Sequence, residues 1–280
     1  MELRFWGVRG SIPVPGPHTT KVGGNTTCVS LQQDDRIVVF DAGTGLRQLG
    51  RYLEDKDRSY WKGSVFLTHY HWDHIQGLPF FEPAFRSENR FHMYGEQKRG
   101  FSIQKILSEQ MQPPYFPVSF NALEGVITFI ELRADLDIEV FPGAIVRTVG
   151  LAHPNGALGY RFDSQQGSLC FITDHEHPTE GLSESVVDFV RGTTILIHDA
   201  QYTPEEKRGP RAGWGHSSWE EAALTAREGK VKCLFLIHHD PDRVDKDVAD
   251  ILRKARRVFR DTEIAKEGSV YHFEEDRLRE

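Results

Sequence analysis

An α/β architecture with sheets packed between helix layers is what the sequence predicts, and two observations carry it. Short β-like runs dominate the first half of the 280-residue chain, and strand–helix alternation takes over in the second. No repeat, low-complexity tract or linker divides the chain, so a single domain over residues 1–280 is expected. Runs rich in β-branched and aromatic residues predict strands at Leu3–Val8, Thr27–Leu31, Arg36–Phe40, Ser64–Thr68, Ile145–Val149, Leu158–Phe162, Ser168–Thr173, Thr194–His198 and Lys232–His238. Helices are expected at Leu46–Leu53, Gln97–Gln110, Glu184–Arg191, Trp219–Glu228 and Val244–Phe259. Ser217 or Ser218 can open the fourth of these with a capping box to Glu220 or Glu221, and Gly229 suits its end. The last begins with Asp245, Asp247 and Asp250 and ends in Arg253, Lys254, Arg256, Arg257 and Arg260, a polarity that complements the helix dipole.

Composition narrows the function classes. Hydrophobic residues make up 39% and charged residues 27%, which excludes disordered and collagen-like chains. With 34 basic against 41 acidic residues, the net charge of −7 argues against a general nucleic-acid coat protein. Cys28, Cys170 and Cys233 are odd in number and sit in apolar segments, the pattern of reduced core thiols. The first residues lack a charged region followed by an apolar one, and no apolar run approaches the ~18 residues that span a bilayer, so a cytoplasmic location without a membrane partner is expected. Against these counts, 13 histidines stand out.

Their densest grouping is Thr68-His69-Tyr70-His71-Trp72-Asp73-His74, directly after the apolar run Val65-Phe66-Leu67. If His69 and His71 stay extended, the strand period places both imidazoles on one side. Asp73 and His74 then follow in a turn. Three nitrogen ligands and one oxygen ligand this close suit zinc or a similar first-row divalent ion. Three more candidates each follow an apolar run: His153, Asp174 and His238. That is where a rigid sheet edge would present ligands.

This ordered set resembles the metallo-β-lactamase superfamily. Its first motif is matched by Asp41 in Phe40-Asp41-Ala42-Gly43-Thr44-Gly45, its second by His69, His71, Asp73 and His74, and its third to fifth by His153, Asp174 and His238. The resemblance implies an αβ/βα four-layer sandwich, a metallo-β-lactamase-like hydrolase domain, with two divalent metal ions at the sheet edges. Zinc is the first choice for them, manganese or iron the alternatives. It further implies that His69, His71 and His153 hold one ion, that Asp73, His74 and His238 hold the other, and that Asp174 bridges them. Asp41 would steady the ligand loop from behind. His239 is the rival of His238 for the last position.

The branch of the superfamily is read from other residues. Leu196-Ile197-His198-Asp199-Ala200-Gln201 and Gly215-His216-Ser217-Ser218 resemble motifs of the tRNase Z branch, with Asp199 where that branch has glutamate. Trp6-Gly7-Val8-Arg9-Gly10-Ser11 and Gly23-Gly24-Asn25-Thr26-Thr27-Cys28 are similar to segments of small bacterial phosphodiesterase-type proteins. The implied reaction is phosphodiester hydrolysis by a metal-bridging hydroxide. His216 would protonate the leaving group and Asp199 would orient it, with Asp73 completing the catalytic set. His198, beside Asp199, would contribute a supporting contact.

For substrate, the acidic balance favours a small or nucleotide-like diester and makes polynucleotide binding a secondary expectation, and the resemblance implies a cyclic nucleotide foremost. The alternatives are a tRNA 3′-processing endonuclease, a thioester or β-lactam hydrolase, and a non-catalytic metal-bound nucleotide sensor. Against the first stands the lack of a long basic, glycine-rich insertion. The aromatic segments Leu78–Phe85 and Pro113–Pro117 can stack a base, fill the core or form a homodimer contact, and a core or dimer contact is the preferred reading.

Overall fold

The computed structural model describes residues 1–123 and 126–273, together with the backbone of 277–279. Six strands open the chain: β1 (Glu2–Gly7), β2 (Cys28–Gln33), β3 (Arg36–Phe40), β4 (Lys62–Phe66), β5 (Arg90–Glu96) and β6 (Ile127–Leu132). Seven follow: β7 (Asp137–Phe141), β8 (Ala144–Leu151), β9 (Ala157–Ser164), β10 (Gly167–Ile172), β11 (Ile195–Asp199), β12 (Cys233–Ile237) and β13 (Thr262–Ile264). The chain then returns as β14 (Val270–His272) and β15 (Arg277–Arg279) to the edge of the first sheet. The first sheet runs β15-β14-β1-β2-β3-β4-β5-β6 and the second β13-β12-β11-β10-β9-β8-β7. Each has a parallel portion, β3 to β6 in one and β10 to β13 in the other. Parallel neighbours need crossovers, and the helices supply them.

The crossover helices are α1 (Gly45–Glu54), α2 (Trp72–Ile75), α3 (Ile103–Glu109), α4 (Glu184–Val190), α5 (Pro204–Arg208), α6 (Trp219–Glu228) and α7 (Asp245–Val258). Strand β3 shows why the layers form. Val38 and Phe40 face the core shared by the two sheets, whereas Ile37 and Val39 face a second core with Leu46, Leu49 and Leu53 of α1. A strand covered on both faces reads as a continuous apolar run, as Ile37 to Phe40 does. Between the sheets Phe40 stacks on Phe171 at 5.4 Å and Phe5 meets Phe235 at 5.1 Å. Val186 of α4, Ala222 of α6 and Val248 of α7 are buried with the second sheet. The result is the αβ/βα four-layer sandwich.

Several elements differ from expectation. The helix expected over Gln97–Gln110 begins only at Ile103, because Lys98 to Phe101 form a tight turn with Arg99 and Gly100 at φ +52° and +81°. Ser102 then caps α3 through Lys105 N. Strand β5 went unanticipated, since its sequence Arg-Phe-His-Met-Tyr-Gly-Glu mixes charge and glycine into a run that parallel neighbours bury. Strands β6, β7, β13 and β14 were also missed. Ser218, not Ser217, makes the capping box of α6 with Glu221. The Ser217 hydroxyl instead donates to His175 O at 2.6 Å. Cys28 and Cys170 are buried and form no disulfide, and burial pushes the Cys170 thiol up to about 12. Among the described residues no helix is long and apolar enough to cross a membrane.

Candidate metal centre

Each candidate ligand lies just past the carboxyl end of a strand: Asp41 after β3, the His69–His74 segment after β4, His153 after β8, Asp174 after β10 and His238 after β12. Strands are rigid and their ends are exposed, so ligands gather where the two sheets' edges meet. Asp41, Asp174 and His238 have φ of 61°, 56° and 61°, a left-handed conformation uncommon for residues other than glycine. Such backbone outliers persist where the surroundings fix them, as in functional sites.

Two donor groups face each other. In the first, His71 Nδ1 lies 2.9 Å from His69 Nε2 and 3.1 Å from His153 Nε2. In the second, His74 Nε2 and His238 Nε2 are 3.3 Å apart, each 3.2 Å from Asp73 Oδ2. Asp174 serves both groups with different oxygens. Its Oδ1 is 3.7 Å from His69 Nε2 and 3.6 Å from His153 Nε2, while its Oδ2 is 3.2 Å from His74 Nε2 and 3.3 Å from His238 Nε2. Nitrogen and oxygen atoms bound to zinc at ~2.0–2.1 Å in a tetrahedron stand about 3.3 Å apart. The donor set therefore fits divalent ions, with all seven side chains brought together.

Hydrogen bonds behind the imidazoles turn the donor atoms inward. The Nδ1 of His74 bonds Asp41 Oδ2 at 2.8 Å, that of His238 bonds Gln201 Oε1 at 2.8 Å, and that of His153 bonds Gly215 O at 2.8 Å. His69 Nδ1 meets Thr68 Oγ1 at 3.0 Å, and that hydroxyl donates to Asp41. With Nδ1 engaged, Nε2 is left to face the cluster. Only His71 presents Nδ1 there. Ser11 N donates to Asp73 Oδ2 at 2.7 Å. Gly10 packs flat beside His238, where a β-carbon would fall 2.4 Å from the ring.

Charge differs between the two groups. Burial and neighbouring imidazoles hold His69 well below its usual value, and burial lowers His71 and His153. Burial also opposes protonation of His74 and His238, but Asp174 and Asp73 outweigh it and push His238 up to about 9. Asp73 and Asp174 are correspondingly held below the carboxylate range by those imidazoles, against the effect of burial.

Beside the donors stands a second pair. His216 Nδ1 bonds Asp199 Oδ2 at 2.9 Å, and Asp199 Oδ1 accepts from Gln201 N at 2.9 Å. Burial works to raise the Asp199 carboxyl, but His216 holds it below its ordinary range. The loop leading to His216 is clamped by Glu176, whose two oxygens accept from Gly213 N at 2.8 Å and Gly215 N at 2.7 Å. Buried Lys207 lies 3.3 Å from Glu176. Gly215, at φ +93°, sits where a β-carbon would fall 2.3 Å from His153 Nδ1. Sequence reasoning missed Glu176, Lys207, Gln201, Thr68 and Ser11 as supports. Gln201, Thr68 and Ser11 lie inside the quoted motifs, and Glu176 and Lys207 do not.

The remaining candidates separate. His198 points away from the donors: its Nδ1 bonds the backbone oxygen of Asp199 at 2.8 Å, and its ring stacks on His177 at 5.5 Å. His239 is buried next to Arg9, with neither ring nitrogen hydrogen-bonded and its pKa lowered by burial to about 3. His238 occupies the donor cluster. Leu78, Phe81 and Ala84 are core residues, and Phe80 meets Phe116 edge-on at 5.6 Å.

A cleft of about 410 Å³ opens over the donors, lined by Ser11, Trp72, Asp73, Asp174, His216 and His238. Trp72 is 81% exposed at its edge. Trp214, 53% exposed in the clamped loop, carries the Arg211 guanidinium 4.3 Å from its ring centre. The sequence reading does not anticipate Trp72 as a lining residue.

Fold and donor set together define a metal-dependent hydrolase of the metallo-β-lactamase fold. Residues 36–239 match the family model described as the Beta-lactamase superfamily domain, and the chain belongs to that family. Among curated relatives, a ribonuclease Z of Oceanobacillus iheyensis is 24% identical, with 97% of this chain and 99% of the relative covered. Among solved structures, the metallo-β-lactamase fold protein YhfI of Bacillus subtilis has a TM-score of 0.72 at 18% identity, covering 97% of this chain and 99% of the other. The human short-form tRNase Z has a TM-score of 0.67 at 18% identity, covering 98% and 99%. These two likenesses share the fold.

Proposed function

We propose that the protein is a metal-dependent phosphodiesterase acting on RNA, an endonuclease that trims the 3′ side of precursor tRNA. The observation that carries the chemistry is His216, tethered through Nδ1 to Asp199 beside the Asp174 carboxylate that faces both donor groups. A ribose oxygen is a poor leaving group that needs a proton, whereas a thioester or β-lactam hydrolase has less need of that pair. Full-length similarity to relatives called ribonuclease Z supports RNA as the substrate.

In this reading His69, His71 and His153 would hold one ion, Asp73, His74 and His238 would hold a second, and Asp174 faces both groups. Bound divalent ions, zinc by the chemistry of the donors, supply Lewis-acid charge and an activated water there. Neutral His69, His71 and His153 are ready to coordinate, while Asp41, Gln201 and Gly215 fix ring orientation. Ser11 N holds Asp73 in place. His216 carries a proton on Nε2 toward the departing oxygen, and Asp199 keeps the ring aimed and its charge balanced.

The preference for a small diester over a polynucleotide, and with it the cyclic nucleotide, gives way, because the choice against a polynucleotide rested on the net charge of −7. A whole-chain sum says little about a cleft, since exposed charges are screened over ~10 Å at ordinary salt. Locally, Lys98 and Arg99 border the donors, and Arg211 lies in the loop before His216. The test is a substrate panel on the zinc-loaded protein: 3′-extended precursor tRNA, 2′,3′- and 3′,5′-cyclic nucleotides, bis(p-nitrophenyl) phosphate, a thioester and a β-lactam. Site-specific cutting of the tRNA is expected. Turnover of a cyclic nucleotide with the tRNA left intact would overturn the reading.

A further inference from the structure

Next to the cleft, and sharing Tyr70 and His71 with it, lies a side pocket of about 500 Å³. That volume falls within the ~300–1,000 Å³ range of small-ligand sites. Two tight turns wall it. One is Lys98–Phe101, closed by Phe101 N to Lys98 O at 2.9 Å. The other is the Asn155–Gly156 turn that follows His153, closed by Gly156 N to His153 O at 2.7 Å. Arg99 and Asn155 both adopt positive φ, 52° and 67°, and Arg99 Nη2 donates to Asn155 Oδ1 at 2.7 Å. The turns are thereby tied to each other across the pocket mouth.

The chemistry of the walls is mixed in a particular way. Phe101 is 49% exposed, an aromatic face left open to the pocket's solvent side. Tyr70 is fixed by its hydroxyl, which donates to Glu96 O at 2.5 Å. Lys98 pairs with Glu96, but Arg99 has no carboxylate partner among the described residues, so the pocket keeps one uncompensated cation. An exposed ring beside an unpaired guanidinium, adjoining a phosphodiester-cleaving centre, is suited to a base and its phosphate.

We infer that this pocket is a subsite for the nucleotide neighbouring the scissile phosphate, with Phe101 stacking its base and Arg99 binding its phosphate. The inference rests on the RNA reading above and adds where the flanking nucleotide sits. Stacking on an aromatic face tolerates any base, which suits a site that selects position rather than sequence. The backbone strain at Arg99 and Asn155 is accounted for as well: it aims a guanidinium and a carboxamide into one mouth.

The test compares two substrates on the zinc-loaded enzyme: 3′-extended precursor tRNA, which reaches the side pocket, and bis(p-nitrophenyl) phosphate, which carries no nucleotide. For Phe101→Ala and Arg99→Gln, the ratio of kcat/KM on tRNA to kcat/KM on the aryl diester should fall about tenfold each. Phe101→Trp should restore the ratio, because any aromatic face stacks. A ratio unchanged in both Phe101→Ala and Arg99→Gln, or a failure of Phe101→Trp to restore it, overturns the subsite. Failure of the wild type to cut tRNA is a separate result that sinks the RNA reading alone. The subsite is then read from adenosine 5′-monophosphate as an inhibitor of aryl-diester hydrolysis. Its inhibition constant should rise about tenfold in both variants, and no rise overturns the assignment.

Discussion

Two histidine clusters lie back to back in this protein, and they behave in opposite ways. At the cleft, six imidazoles, His216 included, converge with Asp73 and Asp174 among them. Beneath it, His175, His177 and His198 pack ring to ring, with 4.5 Å between the first two and 5.5 Å between the last two. No carboxylate side chain hydrogen-bonds to these three rings among the described residues; Asp199 reaches His175 and His198 only through space, and it is opposed by Lys207, whose Nζ donates to His177 O at 3.1 Å. Burial therefore leaves them neutral, with His175 lowered to about 3 and His177 lower still. Their ring nitrogens serve the backbone and a hydroxyl: His175 Nδ1 accepts from Ala152 N, His177 Nδ1 from Ser183 N, and His177 Nε2 meets Thr225 Oγ1. Proximity of imidazoles is common to both clusters. Carboxylates and convergent lone pairs make only one of them a metal centre.

The sharpest way to break this contrast is to remove the carboxylate that serves both halves of the cleft. Asp174→Asn should abolish stable metal loading and lower kcat/KM beyond the ~10⁴-fold ceiling of losing a general acid. Full metal content by mass spectrometry in that variant would refute the bridging geometry. His216→Ala should keep its metal and lose about 10²–10⁴ in kcat on RNA, with a smaller loss on p-nitrophenyl esters, whose leaving group needs no proton. An equal loss on both substrates would remove His216 from the acid role.

Smaller effects come from the supports. Gln201→Ala and Glu176→Ala, which loosen His238 and the His153-bearing contact, should each weaken metal affinity or activity about 10–100-fold. Competition against a chromophoric chelator measures it, and unchanged affinity with unchanged activity would show the clamp to be idle. His177→Gln should leave metal content intact and activity within about twofold, because its ring reaches no donor. A loss of metal there would mean that the two clusters are coupled.

The pH response of the metal-free protein should separate the clusters by sign. His175 and His239 have folded pKa values near 3, below the unfolded value of ~6.5. Below pH ~6.5 the unfolded chain takes up protons that the folded state refuses, so stability from them is present above that pH and falls toward pH 3. His238 is the reverse, with a folded pKa of about 9. Its contribution is full below ~6.5 and disappears as pH rises through 9. Urea midpoints across pH 4 to 10 should therefore fall at both ends. Zinc should erase the alkaline fall, since metal replaces the protons on His74 and His238, and zinc affinity should rise with pH. An alkaline limb that persists unchanged with zinc bound would contradict this.

Much of the centre is legible in the sequence because its ligands obey local rules. His69, His71, Asp73 and His74 are neighbours, and His153, Asp174 and His238 each terminate an apolar run, so strand geometry nominates them and the family resemblance orders them. Strand β5 and the short α3 were not legible: parallel burial overrode a charged, glycine-containing run, and the turn at Arg99 interrupted a helical pattern. Glu176 and Lys207 carry no sequence signal, because they act through a backbone turn 37 residues from Glu176. Trp72 is legible from its place between His71 and Asp73, which sets its ring beside the donors.

By itself the sequence determined the layered α/β class, the family and the donor residue types, since strand period and residue order are short-range properties. Tertiary structure decided the rest: that Asp174 faces both donor groups, that His238 and not His239 joins them, and that His198 belongs to the neutral cluster beneath. Those outcomes depend on which face of a strand or loop meets which partner. Adjacent residues with the same side chain are indistinguishable until the packing of distant segments gives one of them carboxylates and buries the other beside a guanidinium.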